Sequence, residues 1–247
     1  MTANKTDQEI IKIREVMILL TGNYPNTKRR KAFLIGAAAI GFPFIVFLVH
    51  ALVFRVWIVD DAGIAFAYAR NLAEGNGLVS QPGAIPVEGY SNFSWVALLS
   101  TFFALRIFDP YLTPKLISFA LVLLSFIMLR QTFRLMSTNS NLIPAAPVLL
   151  LAANTSFVVW ATSGLENPLL VLFLSLYFYW IVRFGSDRSK RGYLYFLGII
   201  TALIAMTRPD GVLYFFVLPA YLLIGLVFWR QPLKQFIIDV FIYCASF

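Results

Sequence analysis

The chain has 247 residues, of which 60% are hydrophobic and 13% charged, and its mean hydropathy is +0.77. Soluble domains carry about 45–50% apolar and about 25% charged residues, so the composition excludes a soluble protein. The apolar residues fall in long runs instead of alternating, which excludes an outer-membrane barrel, and the single Cys244 excludes an internal disulfide. The formal charge is +8, but seven of the 20 basic residues (Lys5, Lys12, Arg14, Lys28, Arg29, Arg30, Lys31) precede the first apolar run. That placement is a topology signal and not a nucleic-acid footprint. The expected fold is all-α, a polytopic transmembrane helix bundle.

In chain order, residues 1–31 read as a cytoplasmic basic segment. Within it, residues 8–20 (QEIIKIREVMILL) have helical apolar spacing and either lie on the membrane surface or form a short solvated helix. The run 32–57 has 26 residues, longer than the roughly 7–15-residue core of a cleavable signal, and reads as a signal anchor. The polar stretch 58–92 follows, holding Asp60, Asp61, Arg70, Glu74 and Glu88, with a helix predicted over 62–73. A spanning helix needs about 20 apolar residues. By that measure further candidates are 93–108, 112–129, 143–161, 168–184, 193–206, 211–229 and a run from 235 that stops at Phe247. The last is about half a span, so the chain reads as the front part of something longer, a transmembrane module over 32–247.

Lys and Arg collect on the cytoplasmic side of membrane proteins. The basic N-terminus therefore places 58–92 outside. The loop Arg183–Arg191 and the pair Arg230 and Lys234 belong inside, which puts the Ser163–Pro168 and Thr207–Gly211 turns outside and Arg130 and Arg134 inside. An odd number of crossings must then separate the outer loop from Arg130, yet two apolar runs are present. They are broken by DPYLTP, whose prolines and Asp interrupt a straight helix. One of the two runs is expected to be re-entrant or not to cross fully.

This topology brings four polar clusters to one face: Asp60–Asp61, Glu88–Asn92, Ser163–Asn167 and Thr207–Asp210. Five of the 12 acidic residues (Asp60, Asp61, Glu88, Glu166 and Asp210) lie in them. Ionisable groups in and beside a bilayer are costly unless paired or facing water, and mark functional sites. Asp60–Asp61 precedes a helix, where capping and the helix dipole favour carboxylates. The same dipole lowers a carboxylate pKa, which suits a base or metal ligand better than an acid. Adjacent carboxylates backed by Glu88 or Glu166 could hold a hard divalent cation such as Mg, Mn or Ca. Arg208–Pro209–Asp210–Gly211 taken alone is a turn with a local ion pair. His50 reads as a satisfied packing residue, and Trp57 and Trp95 as members of the interfacial aromatic belt. No Walker loop, GxGxxG, HExxH, GxSxG or zinc spacing occurs.

DDAGIAFAYARNLAEGNGLV (60–79), VEGYSNFSW (87–95), WATSGLENPL (160–169) and TRPDGVL (207–213) together resemble the GT-C-fold membrane glycosyltransferases that use polyprenyl-phosphate-linked sugars. The pattern is similar to that of the mycobacterial terminal arabinofuranosyltransferases. More distantly it resembles the protein O-mannosyltransferases and the lipid A aminoarabinose transferase. The resemblance covers most of residues 32–229 and implies the following roles. Asp60 matches the first-loop acid that acts as general base or orients the acceptor, with Asp61 beside it. Glu88 and Glu166 match outer acids near the acceptor or a metal. Arg208 falls where a basic residue meets the donor phosphate, with Asp210 next to it. Gly63 departs from the bulkier residue expected after DDA, and Asn167 stands where Thr is common.

The implied activity is inverting transfer of a sugar from a polyprenyl-phosphate donor to an extracytoplasmic glycan, lipid or protein acceptor. It would take place at the plasma (inner) membrane, among membrane lipids and without nucleic acid. Such a transfer needs a base for the acceptor hydroxyl and positive charge at the departing phosphate. Two other readings compete: a lipid-linked-sugar transporter or flippase, and a non-catalytic or truncated remnant. A transporter would place its charged residues near the bilayer midplane, whereas here they gather at one end.

Overall fold

The computed structural model describes residues 26–54, 56–87, 89–137, 143–228 and 231–247. The amphipathic stretch 8–20 and Glu88 therefore lie outside the described residues. The chain separates into two compact units, Met1–Ala39 and Ile40–Phe247. In the first, the described residues belong to the N-terminal half of helix α1 (Asn26–Ala51).

The second unit is all-helical among the described residues. After α1 and a 3-10 turn at Leu52–Phe54 come α2 (Ala62–Ala73), α3 (Phe93–Ala104) and α4 (Leu112–Met136). Two short helices, α5 (Ala146–Ala153) and α6 (Thr155–Ala161), lead to α7 (Asn167–Ser186) and α8 (Gly192–Thr207). A 3-10 segment, Pro209–Phe216, runs into α9 (Val217–Phe228), and α10 (Leu233–Ser246) closes the order. Among the described residues, four segments are long and apolar enough to cross a membrane: Leu34–Phe54, Leu112–Met136, Asn167–Ser186 and Pro209–Phe228. At 1.5 Å per residue, α4 reaches about 37 Å and α7 about 30 Å, which matches a hydrocarbon core of about 30 Å.

The two apolar runs between the outer loop and Arg130 form helices of unequal length, 12 and 25 residues. Lys115 Nζ, in the first turn of α4, donates to the carbonyl of Phe54, the last residue of the 3-10 turn that follows α1, so α4 starts level with the end of that turn. Phe47 packs edge-on against Phe119, and Phe44 against Phe126, so the two helices run antiparallel from that point. Everything between them, α2 and α3 included, is an excursion that leaves and returns at one level. The 12 residues of α3 extend only about 18 Å, too short to span.

The DPYLTP sequence sets the restart. Asp109 Oδ1 accepts from the amides of Tyr111 and Leu112 at 2.9 and 2.6 Å, and Pro114 sits in the first turn of α4, where its missing N–H costs nothing. Helix α3 ends in a paired-bond cap: the Arg106 amide bonds to Phe103 O at 2.9 Å and the Ile107 amide to Phe102 O at 3.1 Å. Arg106 holds the left-handed position this cap requires, with φ 58°.

One expected span is corrected. Residues 143–161 do not form a single helix, because Asn154 adopts an extended backbone and its side chain accepts from the Phe157 amide at 2.9 Å, capping α6. A side chain that satisfies an orphan amide starts a new helix, so this segment consists of two short pieces. Both still contribute to the core: Val148, Ala152, Val158 and Ala161 pack with Phe47, Val122 and Phe126. A second cluster joins α2 to α3 through Ala65, Tyr68, Ala69, Trp95, Val96 and Leu99. The third joins α7, α8, α9 and α10.

Candidate functional site

Four helix ends converge on one place. Asp61 immediately precedes α2, Asn92 precedes α3 and Glu166 precedes α7, while Arg208 immediately follows α8. Pro168, next to the start of α7, fixes where that helix begins. Two bonds dock the turn before it. The Val59 amide donates to Ser163 O at 3.0 Å, and Trp95 Nε1 donates to Gly164 O at 3.1 Å. Gly164 has φ +90°, and a Cβ there would lie 3.2 Å from both Ala62 Cβ and Ile58 Cδ1. A side chain is strained in that conformation and crowded in that space.

Glu166 is the centre of the arrangement. It is 7% exposed, and a carboxylate taken that far from water must be paired and hydrogen-bonded. Asn92 Nδ2 donates to its Oε2 at 2.8 Å. Its other oxygen lies 3.6 Å from Arg208 Nη1. Arg208 in turn donates from Nε to Asp210 Oδ1 at 3.0 Å. The hydrogen bond to Asp210 raises the Arg208 pKa above its already high ordinary value. Partial burial opposes that rise, and attraction to Asp210 and Glu166 adds to it. Arg208 is thus a fixed cation held between two carboxylates.

Asp61, Asn92 and Glu166 line one cavity of about 340 Å³ together with Gly89–Ser91. The same Gly89–Ser91 segment also lines a second cavity of about 740 Å³, with Phe93, Met206 and Pro209 on its far side. Both volumes fall in the range of small-molecule sites, about 300–1,000 Å³. Tyr68 Oη donates to Val87 O at 3.1 Å and steadies this segment from below.

The structure therefore brings together Asp61, Glu166, Arg208 and Asp210. Asp60 is exposed, and its carbonyl accepts from the Gly63 amide at 2.9 Å, but the cavity is lined by Asp61 and not by Asp60. The side chain of Asp61 makes no capping bond to α2, so capping does not account for its position. Among the described residues no group of three His, Cys, Asp or Glu is placed to hold a metal ion, and both oxygens of Glu166 already face donors. Glu88, one of the four acids expected around a cation, lies outside the described residues.

Two sequence assignments change. Trp95 is fully buried and anchors the Gly164 turn, so it does not face a membrane interface; Trp57 is 37% exposed. His50 is partly buried, but its Nδ1 has no hydrogen-bond partner, so it is packed without being satisfied. The contribution of Asn92 went unread. An Asn before an apolar helix signals a cap, yet Asn92 makes no side-chain capping bond and serves Glu166, 74 residues away.

The chain was compared with protein-family models, curated proteins and solved structures. None matches.

Proposed function

We propose that the chain is an integral-membrane glycosyltransferase of the GT-C kind. It takes a sugar from a polyprenyl-phosphate donor and passes it, with inversion, to a glycan, lipid or protein acceptor. The N-terminus is cytoplasmic and the site faces outward from the plasma (inner) membrane. The observation that carries this reading is the shared cavity of Asp61 and Glu166, with the Arg208 cation attached to Glu166. A base and a cation at one helix-end cluster are the two groups this transfer needs.

In this reading Asp61 accepts the proton of the acceptor hydroxyl as its oxygen attacks the anomeric carbon. The bond from that carbon to the phosphate oxygen breaks, and the electron pair leaves with the polyprenyl phosphate. Arg208 offsets the charge appearing on the phosphate. Glu166, fixed by Asn92 and Arg208, orients the guanidinium and takes no proton. Between the two first-loop acids, the lining of the cavity favours Asp61 as base over Asp60.

The test uses the full chain in nanodiscs with a panel of polyprenyl-phosphate sugars, arabinofuranosyl and mannosyl donors included, and measures released polyprenyl phosphate. Asp61→Asn should cut turnover by about 10²–10⁴-fold, Arg208→Gln should cut it comparably, and Asp60→Asn should cost less than either. Release unchanged by Asp61→Asn would remove this residue from the chemistry. No release from any donor with folded protein would count against the transferase reading itself.

A further inference from the structure

A positive charge is buried toward the far end of α4. Arg130 is 5% exposed, and its Nε is enclosed without a hydrogen-bond partner. Among the described residues, no hydrogen bond, ion pair or ring contact reaches its guanidinium. The surrounding fold offers no counter-charge. Helices α1, α5, α6 and α7 and the turn at Ile143–Ala145 pack on α4, and none of them carries an Asp or Glu. From Pro110 to Leu165 the sequence has no acidic residue at all. The charged neighbour that Arg130 does have is of its own sign: Arg134, exposed and one helical turn further on.

A buried charge is costly unless it is paired, and two local remedies fail here. The helix dipole acts within the last turn, whereas Arg130 precedes the end of α4 at Met136 by more than one turn. A snorkelling arginine keeps its whole head in water, whereas Nε here is closed off. Like charges one turn apart on a helix also repel, unless an anion bridges them. The chemistry of that anion follows from the pair. Each guanidinium presents a fork of N–H donors that fills two oxygens. A carboxylate has two oxygens and saturates one fork; a phosphate has enough for both. Arg130 lies about 22 Å along α4 from Lys115, at the other end of this spanning-length helix from the point where α2 and α3 depart. Basic groups between membrane helices near a membrane surface take anionic headgroups, and free phosphate offers the same oxygens from the water side.

We infer that Arg130 and Arg134 form a phosphate-binding site at the C-terminal end of α4, which takes the phosphate of a lipid headgroup or a free phosphate ion. The site shares no residue with the Asp61–Glu166 cavity and stands whether or not the transferase reading holds.

The full chain is held in dodecyl maltoside, which has neither charge nor phosphate, and its thermal unfolding is followed with rising dioctanoyl phosphatidic acid or rising inorganic phosphate. A ligand that binds only the folded chain raises the midpoint with the logarithm of its concentration, so each series yields an affinity. The wild-type chain should be stabilised by phosphatidic acid alone if a headgroup is the ligand, and by inorganic phosphate as well if the free ion suffices. Arg130→Met should weaken the binding about 10–100-fold, the loss of hydrogen bonds between charged groups. Arg134→Gln, at an exposed position, should weaken it about two- to fivefold. With no probe present, Arg130→Met should unfold no lower than the wild type, because it removes a charge that the fold does not pair. No shift of the midpoint by either probe would overturn the proposal, as would equal weakening in Lys234→Gln. A lower midpoint for Arg130→Met without probe would place the counter-charge inside the chain and overturn it too.

Discussion

Replacing Asn92 by alanine tests what holds the buried carboxylate at the centre of the site. The substitution removes the 2.8 Å bond to Glu166 Oε2 and leaves that oxygen without its donor in a residue 7% exposed. A hydrogen bond to a charged group is worth about 1.5–3 kcal/mol, and most of it is lost when the partner stays buried; a cost of about 2 kcal/mol is expected. Arg208→Gln should cost less. Its guanidinium stands 3.6 Å from Oε1 with the Arg side chain 40% exposed, a separation too long for a hydrogen bond and open to solvent screening, so about 0.5–1 kcal/mol is expected. The measurement is reversible unfolding of the purified chain in mixed micelles with rising SDS, followed by tryptophan fluorescence. Double-mutant cycles with Glu166→Met isolate each pair. The Asn92 cycle should exceed the Arg208 cycle. The reverse order would mean that attraction to Arg208, and not the Asn92 hydrogen bond, keeps Glu166 in place.

Three further outcomes are expected in the same unfolding assay. Gly164→Ala forces a side chain into φ +90° and against Ala62 and Ile58, and should destabilise by about 1–3 kcal/mol; a cost under about 0.5 kcal/mol would show that the turn relocates freely. Arg106→Gly relieves a non-glycine residue at φ 58° and should stabilise by about 1 kcal/mol; a loss of stability would show that the left-handed backbone is not a cost at this cap. Gly198→Ala places a methyl group against Tyr243 O at 2.7 Å and against the Ser246 side chain. It should cost about 1–3 kcal/mol by overpacking α8 on α10, and Ser246→Ala in the same chain should recover part of that loss.

The helical class and the start of most elements could be read from the sequence because long apolar runs, and the prolines and short polar residues that interrupt them, are both local signals. The helix over 62–73 appears with those bounds, and the DPYLTP break stands where two prolines and an Asp demanded it. The residues that form the site were also legible as clusters, since charges beside apolar runs are conspicuous. What periodicity could not supply was the pairing between distant segments. Asn92 and Trp95 each bond to the Ser163–Glu166 region from about 70 positions away, and neither bond leaves a local pattern. The split of 143–161 was missed for a different reason: Asn154 lies within an apolar stretch, and hydropathy averages over a single capping residue. The choice between Asp60 and Asp61 was also out of reach, because neighbouring residues on a turn differ only in the direction they face.

The Lys115 bond to Phe54 closes a ring in the architecture. The 60 residues between them, carrying α2, α3 and two of the four converging helix ends, depart from and rejoin the bundle at a single pinned point. Such a cap can be lengthened, shortened or exchanged without shifting the register of the helices beneath it, much as loops on a rigid scaffold tolerate insertion. The Glu166–Arg208 half of the site is carried by α7 and α8 and stays with the bundle. Divergent copies of this chain could therefore keep the Glu166–Arg208 pair while renewing the Asp61 and Asn92 side of the same cavity.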